Sequence, residues 1–159
     1  MGVFGNRLLR ALGALIALAV VTAACGSDDP AISAPLDACE AVPTQMIDEL
    51  IGEADAQAFA VERLAECRWL TEDGDEEIAL RFEAVPDAEI FVDHAIEATD
   101  PARVETLSVG DAAVLFEDEA VLARYGDSVA LVTGSVETEN LIDVLQASIA
   151  YLEARDAAA

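Results

Sequence analysis

The side chains with the greatest capacity for chemistry are three cysteines, one histidine and a large set of carboxylates. The cysteines are Cys25, Cys39 and Cys67, the histidine is His94, and Asp and Glu together number 32. A thiol can form a disulfide, bind a metal or accept a lipid. His94 and Glu97 could supply two metal ligands from one helix, but a catalytic zinc ion usually needs three. We therefore expect no metal site, and we interpret His94 as a histidine at the edge of a helix with no site role.

No catalytic motif accompanies these residues. A Ser-His-Asp arrangement would have to use His94, and the sequence contains no Gly-x-Ser-x-Gly elbow. With 32 acids, some carboxylates approach each other by chance, so pairs of them do not indicate paired-acid hydrolysis. The acidic segment TEDGDEE at 71–77 lacks the ligand spacing of a calcium loop and is interpreted as a hairpin tip, with weak cation binding as the alternative. We expect no catalytic residues and no cofactor.

The N-terminus has the features of an export signal. Arg7 and Arg10 precede an uncharged apolar run at 11–24, which is short for a membrane span of about 20 residues. The residues TAAC at 22–25 resemble the end of a bacterial lipoprotein signal, in which small residues precede an invariant cysteine. That resemblance implies cleavage before Cys25 and attachment of lipid to it, with 1–24 as the signal peptide. An ordinary signal peptide cut nearby and an uncleaved anchor are the alternatives.

The cysteine count supports the same interpretation. Three cysteines are an odd number, which in an exported protein leaves one thiol over. Lipidation of Cys25 would leave Cys39 and Cys67, and outside the cytosol that pair is expected to form a disulfide. A metal site built on the two cysteines is the alternative, but the sequence has no C-x-x-C motif and a single histidine.

The charge of the chain excludes one class of partner. The formal net charge is −24, and all 32 acids lie after Cys25, against six arginines and no lysine in that part of the chain. Such a surface repels nucleic acid and anionic lipid headgroups. We expect no nucleic-acid binding, and we attribute the charge to solubility, with attraction to cations or a basic partner as the alternative.

The pattern along the chain predicts one domain behind a tether. Residues 25–37 are polar and aperiodic and form the anchored tether, 38–155 form the domain, and 156–159 form a frayed tail. Helices are predicted after Pro43 up to Gly52, at 87–98 and at about 137–155. Strands are predicted around 66–70 and 78–84, joined by an Asp-Gly turn, and at 104–109, 113–117, 121–125 and 128–133, with Gly126-Asp127 as a type II′ turn. The alanine-rich segment that precedes Glu66 is left unassigned.

These elements predict an α+β fold. Hairpins dominate and no βαβαβ run occurs, so we expect an antiparallel sheet of about five to six strands covered by two to three helices. Trp69 is interpreted as a core aromatic packed beside the disulfide, with a stacking role in a ligand groove as the alternative. Gly110-Asp111 is interpreted as a turn that enters a strand.

Several motifs together resemble a group of small actinobacterial cell-envelope lipoproteins. They are the signal ending at Cys25, a cysteine ahead of a short helix ending at Gly52, CRW at 67–69, VGDAA at 109–113 and a C-terminal amphipathic helix. The chain departs from the group at CEAVPT (39–44), which lacks the double leucine of its helix start. The resemblance implies a layered domain with an antiparallel sheet, similar in outline to PsbP-like proteins, and it supplies no catalytic residues.

The sequence therefore favours a non-enzymatic binding or accessory domain on the outer face of the cytoplasmic membrane. Its contacts would be the membrane, through the lipid on Cys25, and an envelope ligand or protein. The alternatives are a carboxylate-dependent hydrolase of the cell envelope and a regulatory partner of a membrane complex.

Overall fold

Seven antiparallel strands form one sheet in the computed structural model, which describes residues 36–71, 77–100, 104–116 and 120–158. The order across the sheet is β1-β2-β3-β7-β6-β5-β4, so a three-stranded and a four-stranded meander meet where β3 pairs with β7. The α+β class is confirmed, with more strands than expected. The strands are β1 (Ala54–Val61), β2 (Leu64–Thr71), β3 (Glu77–Ala84), β4 (Val104–Leu107), β5 (Ala112–Phe116), β6 (Ala120–Tyr125) and β7 (Ser128–Gly134).

The described residues also form three α-helices and one 3₁₀ turn. The turn spans Ala38–Ala41, and the helices are α1 (Thr44–Ile51), α2 (Ala88–Glu97) and α3 (Thr138–Asp156). Pro43 precedes the first residue of α1, and Gly52 ends it with φ +78°, as predicted from the start and stop residues. No helix among the described residues is both long enough and apolar enough to span a membrane.

The strand that the sequence analysis left unassigned is β1. Alanine occupies every second position of β1, and the positions between hold Asp55, Gln57, Phe59 and Val61. This alternation is a weak strand signal, because alanine differs little in hydrophobicity from the mixed residues on the other face. The loop to β2 is Glu62-Arg63, and Glu62 adopts a φ of +42° that glycine or asparagine normally supplies at such turns. The alanine face of β1 has no large apolar residue, and no typical turn residue follows the strand. β1 therefore lacks the usual signals of a strand.

The first face of the sheet holds the main core. Ile78, Leu80 and Phe82 of β3 are buried there, at every second position of the strand predicted at 78–84. The 3₁₀ turn, α1 and α3 supply the opposing apolar side chains, with Leu141, Val144, Leu145 and Ile149 from α3. Burial of apolar surface contributes about 25 cal/mol per Å². The first face buries more apolar side chains than the second and therefore provides the larger share of the hydrophobic stabilisation.

The second face has a smaller core at one end. α2 places Ala88 and Val92 against Val114, Phe116 and Leu122 of the four-stranded meander, with partly buried neighbours around them. Asp87 precedes α2 with φ +57°, and the helix occupies 88–97 within the predicted 87–98. α2 therefore covers the side of the second face where β4, β5, β6 and β7 lie.

The VGDAA motif forms the bend before β5, as expected for Gly110-Asp111. Gly110 has φ +60°, and a Cβ atom on it would lie 2.5 Å from the carbonyl oxygen of Arg124. The Asp111 N–H donates to that same carbonyl at 2.9 Å, and Asp111 Oδ2 accepts from the Gly126 N–H at 2.8 Å. Gly126 has φ +56° while Asp127 does not have a positive φ, which agrees with the predicted type II′ turn. The motif thus ties the β4–β5 bend to the β6–β7 turn.

We expect Gly110→Ala to lower the free energy of unfolding by about 2–4 kcal/mol, since the added Cβ meets a backbone atom in a left-handed conformation. Gly126→Ala is the matched control, because Gly126 has a similar φ and nothing within 4 Å of the added Cβ. Its cost should be about 1 kcal/mol. Urea unfolding at pH 7 measures both, and equal losses would show that the close approach to Arg124 contributes nothing.

Candidate functional site

The predicted disulfide joins the 3₁₀ turn to β2. Cys39 and Cys67 are bonded with a Cα–Cα distance of 5.0 Å, and Cys67 has no exposed surface. Asp37 stabilises the turn, because its Oδ1 accepts from the Cys39 N–H at 2.9 Å. Trp69 is buried in the same core, as its interpretation as a core aromatic predicted. Cys25, the predicted lipid site, lies outside the described residues.

His94 and Glu97 are exposed on α2. In the described ranges, no group of three or more His, Cys, Asp or Glu side chains is placed to hold a metal ion. The described residues omit 72–76. Most of the predicted acidic hairpin tip, including its Asp-Gly turn, therefore lies outside them.

The side chains that combine charge, partial burial and exposed apolar surface lie on the second face, beside the area covered by α2. The helices of the described residues leave this part of β1, β2 and β3 open to solvent. We call it the open face and define it by Phe59, Val61, Glu66, Arg68, Arg81 and Glu83. Glu66 faces Phe59 on one side and Arg81 on the other, which makes it the centre of the open face.

Glu66 is held by two arginines. Arg81 donates from Nε and Nη2 to Glu66 Oε2 at 2.9 and 2.7 Å, and Arg68 donates from Nε to Glu66 Oε1 at 2.7 Å. The Glu66 side chain is only 11% exposed, whereas those of Arg81 and Arg68 are 28% and 50% exposed. The carboxylate thus fixes two guanidinium groups on partly exposed side chains. Guanidinium groups are suited to anionic or carbonyl groups of a ligand.

The two carboxyl groups of the open face have pKa values shifted in opposite directions. Burial raises the pKa of Glu66, but the hydrogen bonds and positive charges of Arg81 and Arg68 outweigh it and hold the pKa below the ordinary value. Burial raises the pKa of Glu83, and the charge of Arg81 offsets this only in part. The ionised form is therefore favoured at Glu66 and disfavoured at Glu83.

Apolar side chains adjoin this ionic centre. Phe59 and Val61 are 55% and 51% exposed, and they lie two residues apart on the same face of β1 as the charged cluster. Arg63, Arg68 and Arg81 lie on these strands or in the β1–β2 turn, and they are three of the five arginines that the structure describes. A strongly acidic chain thus concentrates its cations beside its exposed apolar surface.

This site is not apparent from the sequence alone. Its charged residues lie 15 positions apart in the chain, at Glu66 and Arg81, and only the register of β2 against β3 makes them opposite. The alternation of Arg81 and Glu83 with buried neighbours was the one available signal, because charged side chains on a predicted strand must face away from the core.

Comparisons with family models, with curated proteins and with solved structures gave no match. The resemblance to actinobacterial envelope lipoproteins therefore stays a prediction.

We expect Glu66→Gln to lower the free energy of unfolding at pH 7 by about 1–2 kcal/mol, because charge-assisted hydrogen bonds to two arginines are lost. Since the pKa of Glu66 is lowered in the folded state, this contribution is complete above about pH 4.3, the ordinary value for glutamate. It should shrink only as the pH falls through the lowered pKa. Urea unfolding at several pH values from 7 to 3 measures this difference.

Glu83→Gln is the matched control on the same face. The pKa of Glu83 is raised, so its ionised form costs stability at neutral pH, and the amide should leave stability unchanged or increase it. Equal destabilisation by the two substitutions would contradict the assignment of Glu66 as the fixed anion of the open face.

Proposed function

We propose that this chain is a lipid-anchored, extracytoplasmic binding or accessory domain of the bacterial cell envelope. In this proposal Cys25 carries the lipid, 1–24 is removed as a signal peptide, and the residues after Cys25 tether the domain to the outer face of the cytoplasmic membrane. The open face is its binding surface. No catalytic step is assigned to it.

The disulfide supports the proposed location. Disulfides such as Cys39–Cys67 persist in oxidising compartments and are rare in the reducing cytosol. Because these two cysteines pair with each other, Cys25 is the third cysteine of the sequence, in the position that a lipoprotein signal assigns to the lipidated residue. Two or more acyl chains on that residue would hold the domain at the membrane.

The observation that carries the binding role is the composition of the open face. Exposed apolar side chains at Phe59 and Val61 adjoin guanidinium groups that Glu66 already orients. Orienting a side chain before binding reduces the entropy lost when a ligand or a protein docks. Apolar surface rimmed by polar groups is typical of interaction sites, which also suits an accessory role in a membrane complex.

A carboxylate-dependent hydrolase is the second candidate, and one observation favours it. Glu66 and Glu83 lie on one face with pKa values shifted apart, which is the arrangement that acid and base roles require. Both oxygens of Glu66 accept hydrogen bonds from arginine, however, which makes it a weak base and a poor nucleophile. The binding role therefore accounts better for the geometry.

We expect the chain recovered from the membrane fraction of its own host to have the mass of residues 25–159 plus a diacylglycerol group, less the two hydrogens of the Cys39–Cys67 disulfide. Intact-mass spectrometry measures this directly, and Cys25→Ala should abolish the added lipid mass. An unlipidated soluble chain cut at another residue would overturn the proposed anchor.

The binding role predicts that the open face has an occupant in the cell. A photoreactive phenylalanine analogue at position 59 should form an adduct in living cells with a molecule other than this chain. The same analogue at position 90 is the matched control, because Ile90 is 53% exposed on α2, close to the exposure of Phe59. Equal adduct yields at 59 and 90, or no adduct at 59, would contradict binding at the open face.

A further inference from the structure

The hydrogen bonding of the three-stranded meander shows which backbone groups of β1 point away from the sheet. The Ala84 N–H donates to the carbonyl of Arg63 at 3.0 Å, so Leu64 and Glu83 face each other without exchanging hydrogen bonds. The N–H and C=O of Leu64 are therefore directed at β1, where Leu64 pairs with Val61 across the Glu62-Arg63 turn.

Alternation along β1 assigns the remaining groups. Val61, Phe59, Gln57 and Asp55 direct their N–H and C=O groups to β2, and the alanines between them direct theirs outward. In the part of the chain that the structure describes, no strand lies beyond β1. The outward groups belong to Ala54, Ala56, Ala58 and Ala60.

This edge has few of the features that normally prevent strand pairing, and Asp55 is its one charged side chain. β1 is eight residues long, contains no proline, lysine or arginine, and pairs with β2 in continuous register without a bulge. The opposite edge of the sheet is β4, which is only four residues long. A long edge of small side chains with unblocked backbone groups is a template for another strand.

We propose that β1 pairs antiparallel with β1 of a second copy of this chain. A two-fold axis at Ala58 places Ala58 opposite its own copy and joins residues 55–61 of both strands, seven of the eight residues of β1. Phe59 then faces Gln57 of the second copy, and the two Phe59 rings become diagonal neighbours about 7–8 Å apart, within reach of aromatic side chains.

The contact between the two Phe59 rings selects this register. Moving the axis to Gln57 would join as many residues, 54–60, but would place Phe59 opposite Asp55 and separate the two rings by four residues, about 13 Å along the strand. Moving it to Phe59 would place the two rings opposite each other but would leave only residues 57–61 of β1 in the ladder.

The net charge of the chain opposes association, which makes the pairing dependent on salt. Two copies that each have a formal net charge of −24 repel each other at long range. The screening length falls from about 10 Å at 0.1 M salt to about 3 Å at 1 M. The fraction of dimer should therefore increase with ionic strength. If the edge instead bound a basic peptide, the same increase in salt would release that peptide.

The proposal goes beyond the binding role of the open face, because it needs neither the lipid nor a ligand. Ala58→Cys tests it on the full chain in the membrane fraction of its host, under mild oxidation. Opposite residues have Cα atoms about 5.5 Å apart, within the range of a disulfide. Ala56→Cys is the matched control, since its Cα would lie about 13 Å from its copy along the strand. Non-reducing electrophoresis should show at least about tenfold more dimer for Ala58→Cys.

The unsubstituted chain is the control for the proposed anchor. A free thiol at Cys25 would cross-link the unsubstituted chain and both cysteine variants alike, and not Ala58→Cys alone. Similar amounts of dimer from Ala56→Cys and Ala58→Cys, or none from either, would overturn the proposal.

Blocking the edge provides a second measurement. Ala58→Pro removes an N–H that points away from β2 and leaves the β1–β2 hydrogen bonds in place. Ala58→Asp places like charges opposite each other at the two-fold axis. Sedimentation equilibrium of the full chain in detergent at 0.5 M salt should give a dimer that both substitutions convert to monomer with unchanged unfolding. A monomer before substitution, at every concentration, would overturn the proposal and assign the edge to another occupant.

Discussion

The sheet is wider than the described helices can cover, and the other features of the molecule follow from this constraint. Seven strands about 4.8 Å apart form a surface about 29 Å wide, whereas a helix with its side chains is about 10 Å across. The 3₁₀ turn, α1 and α3 together serve the first face, while α2 is the helix that packs on the second. One end of the second face must therefore be compatible with water.

The residues at that end match this requirement. Both ends of the second face carry side chains from their own meander. The four-stranded meander supplies the apolar Val114, Phe116 and Leu122, whereas β2 and β3 supply the charged Glu66, Arg68 and Arg81. A carboxylate buried as deeply as Glu66 is tolerated because two arginines satisfy it, and the arginine side chains are more exposed than the carboxylate. The same arrangement that stabilises an uncovered sheet also presents fixed cations beside Phe59. The proposed binding role thus has the same physical origin as the stability of the uncovered part of the sheet.

The elements that could be predicted are those whose local pattern is strong. β3 alternates large apolar residues with charged ones, α1 lies between Pro43 and Gly52, and Gly126-Asp127 closes a hairpin. β1 could not be predicted, since alanine on one face gives little contrast with the other and Glu62 occupies a backbone conformation that its side chain does not favour. The candidate site was missed for a different reason. Charged side chains on separate strands signal nothing until the register between the strands is known.

The sequence by itself determined the α+β class and most element boundaries, because periodicity and turn residues are local properties. It also predicted the pairing of Cys39 with Cys67, through the expectation that Cys25 carries a lipid. The tertiary structure alone decided that β3 pairs with β7, that Glu66 lies between Arg68 and Arg81, and that β1 forms an edge. Those features depend on which strands meet and in which register. That choice follows from the burial of the whole apolar surface together, and no segment of the chain specifies it alone.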